Sequence, residues 1–199
     1  MIKAIIFDYG GVISNNTDSM ILEHISNSCK VPLNVTKKAI AGILEKYQTG
    51  AINDEMFWKE FKSKTGTDLP KNYLELWTET YEKELKINHD ALNLIKNLRI
   101  EKYTLALLSN TIPPHTRYIK KHIKLFDHTI LSTEAGLRKP DENIYILALK
   151  MIGNRPEECI YIDDIQEYLT PAGKLGIHTI HYKNIPLLKR ELLKQGIHF

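Results

Sequence analysis

The chain has 199 residues, 43% of them hydrophobic and 26% charged, with a formal net charge of +3. This composition suits a soluble globular protein with one good core, or one domain carrying an inserted subdomain. The lysines are spread along the chain, which argues against a nucleic-acid partner, and the N-terminal apolar run is too short for a signal peptide or a membrane span, so a cytoplasmic location with no membrane partner is expected.

The first element is Ala4-Ile5-Ile6-Phe7, a short apolar run that ends at Asp8 and is followed by Gly10 and Gly11. Such a run, closed by turn residues, reads as a buried strand. From about residue 16 to residue 86 the pattern is helical. Thr17 or Asp18 can cap a first helix carrying Met20, Ile21, His24 and Ile25, and a second runs from Val35 to Tyr47 with Ala39, Ile40, Ile43 and Leu44 as its stripe. A third is capped by Asn53 or Asp54, turns Phe57, Trp58 and Phe61 inward and stops near Gly66. Pro70 opens a fourth, with Tyr73, Leu74, Trp77 and Tyr81. Four consecutive helices predict a small bundle.

The remainder alternates. Asn88 starts a helix with Leu92, Ile95 and Leu98; the run from Thr104 to Leu108 ends at Ser109-Asn110; a helix follows around Pro114 to His122. A short strand covers His128 to Ser132, and a helix over Asp141 to Met151 has Ile144, Leu147, Ala148 and Met151 as its stripe. Cys159 to Ile162 is a buried strand ending at Asp163-Asp164. Tyr168 to Leu175 is helical, Ile177 to Tyr182 a strand, and Pro186 opens the last helix. Cys29 and Cys159 are far apart and form no metal or disulfide pattern. Strands alternating with helices predict an α/β fold with a doubly wound parallel sheet. Its core would comprise residues 1–15 and 87–199, and a four-helix cap, residues 16–86, would be inserted after the first strand.

Three buried runs end in polar residues: Phe7 before Asp8, Leu108 before Ser109, and Ile162 before Asp163-Asp164. In open α/β sheets the ligand site lies beyond the carboxyl ends of the strands, so these residues should converge, with Lys139 of Arg138-Lys139-Pro140 beside them. Phosphoryl transfer needs such a set. An aspartate can act as a nucleophile, a hard cation such as Mg²⁺ offsets its repulsion from phosphate, and a serine and a lysine hold the equatorial oxygens.

Four segments in order, Phe7-Asp8-Tyr9-Gly10-Gly11-Val12, Leu108-Ser109-Asn110-Thr111, Arg138-Lys139-Pro140-Asp141 and Ile162-Asp163-Asp164, resemble the motifs of the haloacid dehalogenase (HAD)-like hydrolase superfamily. The resemblance covers essentially the whole chain. It is nearest to the capped phosphatases, including the N-terminal phosphatase domain of soluble epoxide hydrolases. It implies a Rossmannoid fold and a Mg²⁺-dependent hydrolase of small phosphate monoesters, a sugar phosphate being the default substrate, that works through an aspartyl-phosphate. By the same resemblance Asp8 is the nucleophile and a metal ligand, and the Gly10 carbonyl ligates metal. Ser109 and Asn110 serve the phosphate, Lys139 neutralises nucleophile and phosphate, and Asp164, with Asp163 beside it, is the metal carboxylate. Adjacent strand-end residues point to opposite sides, so one of that pair, Asp164, is expected to ligate directly.

Two positions depart from the pattern. Most family phosphatases carry a second Asp, the general acid and base, where this chain has Gly10. The alternatives are a phosphatase with another proton route, a weakly active or non-catalytic metal- and phosphate-binding module, and a 2-haloacid dehalogenase, against which the Asp163-Asp164 pair argues. Tyr168 stands where the nearest relatives usually carry Asn. Asn15, Asn16, Tyr47, Trp58 and His115 are weaker candidates, the aromatic residues at helical spacing reading first as core. Oligomeric state is not encoded legibly.

Overall fold

The computed structural model describes residues 1–199. The strands are β1 (Ala4–Phe7), β2 (Thr104–Ser109), β3 (His128–Leu131), β4 (Cys159–Asp163) and β5 (His178–His181). The helices are α1 (Asp18–Cys29), α2 (Leu33–Gln48), α3 (Asp54–Thr65), α4 (Leu76–Glu84), α5 (His89–Ile100), α6 (Pro113–Ile119), α7 (Ser132–Ala135), α8 (Glu142–Ile152), α9 (Gln166–Lys174) and α10 (Ile185–Lys194). The sheet order is β3-β2-β1-β4-β5 and every pairing is parallel. This is the doubly wound order expected from the alternation, with β1 at its centre.

All four residues of β1 are buried because both of its faces are covered. Ile5 and Phe7 face a core built with Leu92, Ile95 and Leu98 of α5 and Leu188 and Leu192 of α10. Ala4 and Ile6 face the opposite core, with Ile144 and Ala148 of α8 and Leu169 and Ala172 of α9. The register sets Phe7 against Leu107 on one side and Ile162 on the other. One residue further along, Asp8 therefore stands beside Asp163 at the carboxyl edge.

Helices α1 to α4 build a third core, joined by Ile112 and Tyr118 at α6, in which Tyr47, Phe57, Trp58 and Phe61 are fully buried. Phe57 and Trp58 meet edge to face with centroids 5.2 Å apart, and the Tyr47 hydroxyl donates to Asp54 Oδ1 at 2.7 Å. The Asn53 side chain caps α3, and Gly66 ends it at φ 69°. The two chain segments leading into and out of this helical unit are hydrogen-bonded to each other. Asn15 N donates to the Lys86 carbonyl, Asn15 Nδ2 to the Glu84 carbonyl, and Lys86 N to Asn15 Oδ1.

The structure corrects two stripes. Pro70 does not open the fourth helix: Tyr73–Glu75 form a 3₁₀ turn and α4 begins at Leu76. The tighter 3₁₀ period breaks phase with the α-helix after it, which leaves Leu74 exposed. In α8 the buried residues are Ile144, Tyr145, Ala148 and Ile152, and Met151 is exposed. The stripe turns because Tyr145 reaches toward α9 and its hydroxyl donates to the Tyr168 carbonyl at 2.7 Å. Cys29 and Cys159 are free and buried, and burial pushes both thiols up to about 11. No helix is long and apolar enough to cross a membrane.

Candidate active site

Asp8, Ser109, Asn110, Lys139, Asp163 and Asp164 come from segments far apart in sequence and meet at the carboxyl edge of the sheet, at the ends of β1, β2 and β4 and in the loop before α8. Lys139 is the pivot. Its side chain is almost completely enclosed, and Nζ lies 2.8 Å from Asp8 Oδ1 and 2.7 Å from Asp163 Oδ2. Asn110 fixes the lysine backbone from both sides: Nδ2 donates to the Lys139 carbonyl at 2.9 Å, and Lys139 N donates to Asn110 Oδ1 at 2.8 Å. Asn110 therefore positions Lys139. Ser109 is buried beside it at the end of β2.

Burial raises the Asp8 carboxyl, Lys139 lowers it and Asp163 raises it again, leaving it at about 7 against an ordinary 3.8. Burial presses the Lys139 ammonium toward neutrality, but the two carboxylates outweigh it and its pKa is raised. The centre thus holds two carboxyl groups against one ammonium in a dry setting, where a charge without a counter-charge is costly.

The two terminal aspartates differ in what they touch. Asp163 has both oxygens taken: Oδ1 accepts from Ile165 N at 2.8 Å, and Oδ2 accepts from Lys139 Nζ and the Tyr161 hydroxyl. Asp164 is half-buried, and its enclosed Oδ1 has no partner. Burial, followed by the neighbouring Asp163, raises the Asp164 carboxyl. One oxygen from each of Asp8, Asp163 and Asp164 lies within 4.8 Å of the others. Gly11 (φ 78°) lies directly beneath Asp164; a Cβ there would collide with the Asp164 carboxylate. Gly10 is different, because a Cβ built on it meets nothing within 4 Å.

Tyr161 was not legible as a site residue; it joins Tyr168, which the sequence marks as standing where relatives carry Asn. Their rings lie 5.7 Å and 4.9 Å from Lys139 Nζ. Tyr161 sits two residues before Asp163 on the same strand face, so its period-2 position was the available signal. Tyr168 faces the site rather than only packing on the sheet.

Above the aspartates is a cavity of about 280 Å³ between the sheet edge and the helical unit. Asn15, Asn16, Gly10, Tyr168 and His115 line it; Tyr47 and Trp58 do not. His115 lies in α6 and is half-buried. It stacks on Tyr81 with centroids 3.8 Å apart, and burial pulls its imidazole down to about 3.

A doubly wound parallel sheet whose carboxyl edge gathers a buried aspartate, a lysine and a further aspartate pair is a Rossmannoid α/β fold with a site centred on a carboxylate. The chain belongs to the haloacid dehalogenase-like hydrolases, whose family model matches residues 2–175. It is 26% identical to the D-ribitol-5-phosphate phosphatase of Bacteroides thetaiotaomicron over 96% of this chain and 97% of that one. It is 24% identical to bifunctional epoxide hydrolase 2 of Sus scrofa over 97% of this chain and 38% of that one. The chain spans at most 38% of the length of the first curated relatives it matches. A HAD family enzyme of Bacteroides thetaiotaomicron, solved in complex with magnesium and inorganic phosphate, superposes with a TM-score of 0.77 at 27% identity, covering 92% of this chain and 95% of that one.

Proposed function

We propose that the protein hydrolyses small phosphate monoesters with Mg²⁺ bound beside Asp8. One observation carries this reading: Lys139 is held between Asp8 and Asp163 while Asp164 Oδ1, enclosed and unpartnered, faces the same space. The residues fit the ion. Their donors are hard carboxylate oxygens, an orphaned oxygen is present, and Gly11 leaves room that a Cβ would fill. Asp8, Asp164 and the Gly10 carbonyl would hold it. Asp163, both of whose oxygens are occupied, would contribute charge and fix Lys139. The ion would offset the repulsion between phosphate and carboxylate.

The protein groups then divide the work. The Asp8 carboxylate attacks phosphorus, the P–O bond to the alcohol breaks, and an aspartyl-phosphate forms; water later attacks that phosphorus and restores Asp8. Ser109 and Lys139 hold the phosphoryl oxygens, where transition-state charge spreads. The four-helix unit acts as the cap, and its movement over the cavity admits substrate and excludes water. Phosphate release from an activated aryl phosphate that stops on chelation of Mg²⁺ supports the reading. Halide release from a 2-haloacid without metal would replace it with dehalogenation.

The departing alkoxide needs a proton, and Gly10 supplies none. Because the space over Gly10 is open, Gly10→Asp should fit and raise turnover of alkyl phosphates by about 10²-fold or more, with a smaller gain on aryl phosphates. Equal or lower rates on both esters would show that the site already has a proton route. Gly11→Ala should do the opposite kind of damage. The methyl would displace the Asp164 carboxylate, and Mg²⁺ affinity measured by calorimetry should fall about 10-fold or more.

A further inference from the structure

The cavity has a second set of unsatisfied groups, distant in role from the aspartates. Among the enclosed side-chain atoms without partners are Trp77 Nε1, His115 Nε2 and Gln48 Oε1, all on residues that line it. Trp77 is only 5% exposed. Its ring meets His115 edge to face at 6.1 Å, so the two rings form one corner of the wall. Native proteins rarely leave such groups unpaired, because each forfeits its hydrogen bonds to water without replacement. Three around one cavity mark where a ligand's polar atoms belong.

The chemistry of the three is specific. An indole N–H only donates, and an amide oxygen only accepts. Burial keeps His115 neutral, so Nε2 offers one hydrogen bond in either tautomer. The matching group both accepts and donates, as a carboxamide or hydroxyl does. The exposed lining of the cavity is more apolar than polar, and the helical unit contributes Leu22, Ile40, Ala41, Leu44 and Tyr81 to it. Asp18 and Lys37 also line the cavity. A polyol chain lying against these apolar side chains would lose hydration from its hydroxyls there, which an apolar body would not.

Resting on the phosphatase reading above, we infer that the preferred substrates are compact phosphate monoesters of an alcohol with an apolar, preferably aromatic body and one distal hydrogen-bonding group, which engages Trp77 and His115. The test compares three esters of alcohols with similarly poor leaving ability: benzyl phosphate, 4-carbamoylbenzyl phosphate and ribitol 5-phosphate. With Mg²⁺, kcat/KM should be about 10-fold higher for the carbamoyl ester than for benzyl phosphate, and higher for both than for ribitol 5-phosphate. Trp77→Phe keeps a ring but removes the N–H, and should cut the carbamoyl advantage to about 2-fold or less. Calorimetric binding of the same three esters to Asp8→Asn should follow the same order. Equal values, or a preference for ribitol 5-phosphate, would overturn the inference and leave the phosphatase reading standing. Absence of turnover by the wild-type protein would sink the phosphatase reading instead, and the binding order would still decide the ligand class.

Discussion

Replacing Asp8 with Asn is expected to lower Mg²⁺-dependent phosphate release by on the order of 10⁴-fold or more, because the variant lacks the attacking oxygen and not merely a binding contact. The same change should stabilise the chelator-treated fold. Asp8 and Asp163 share one ammonium, so the wild-type centre carries one buried negative charge in excess. The amide removes that excess and keeps Lys139 paired with Asp163. The pH dependence has a definite sign. Native Asp8 titrates near 7 against an ordinary 3.8, so between these values the native state binds more protons than the unfolded chain, and its stability falls as pH rises. The advantage of Asp8→Asn should therefore be nearly absent at pH 4 and reach on the order of 2–4 kcal/mol above pH 7. Urea denaturation at pH 4, 6 and 8, with activity assayed in parallel, checks both halves. A variant that loses activity and stability together would mean that Asp8 is held for the fold.

Lys139→Met should be the most destabilising single change at the site. It leaves two buried carboxyl groups without their counter-charge, a loss of about 3–5 kcal/mol at neutral pH. For a chain of this size that lowers the melting temperature by about 10 °C. The deficit should shrink at pH 5, where the carboxyl groups can take protons, and grow toward pH 8. Lys139 itself stays charged across that range, since its pKa lies above the ordinary 10.5. Phosphate release should vanish as well. Thermal scans at pH 5 and 8 separate this account from lost packing, which would cost the same at both.

The sheet was legible because its strands are short apolar runs that stop at polar residues, and burial on both faces demands that pattern. Asp8, Ser109 and Asp163-Asp164 announced themselves as the residues after such runs, and the helix starts at Asn53 and Asn88 carried their own caps. Leu74 and Met151 misled because helical phase is read from an assumed start and an assumed uniform period. A 3₁₀ turn before α4 and the reach of Tyr145 across to α9 changed each one.

What the sequence determined alone is the order of elements and the strand ends that carry chemistry, both local properties of residue type and spacing; that Gly10 stands in place of a carboxylate is what the resemblance to the family implies. Only the tertiary structure decided how these residues divide their partners. Lys139 takes Asp8 and Asp163, and Asp164 is left with a free oxygen above a glycine that cannot carry a side chain. It also decided that His115 of α6 joins Trp77 and Tyr81 around the cavity, while Tyr47 and Trp58 sink into the helical core. The reason is physical. Hydrogen-bond capacity and desolvation are shared among groups far apart in the chain, Asp8 and Lys139 by 131 positions. No spacing rule along a chain records how such a contest ends.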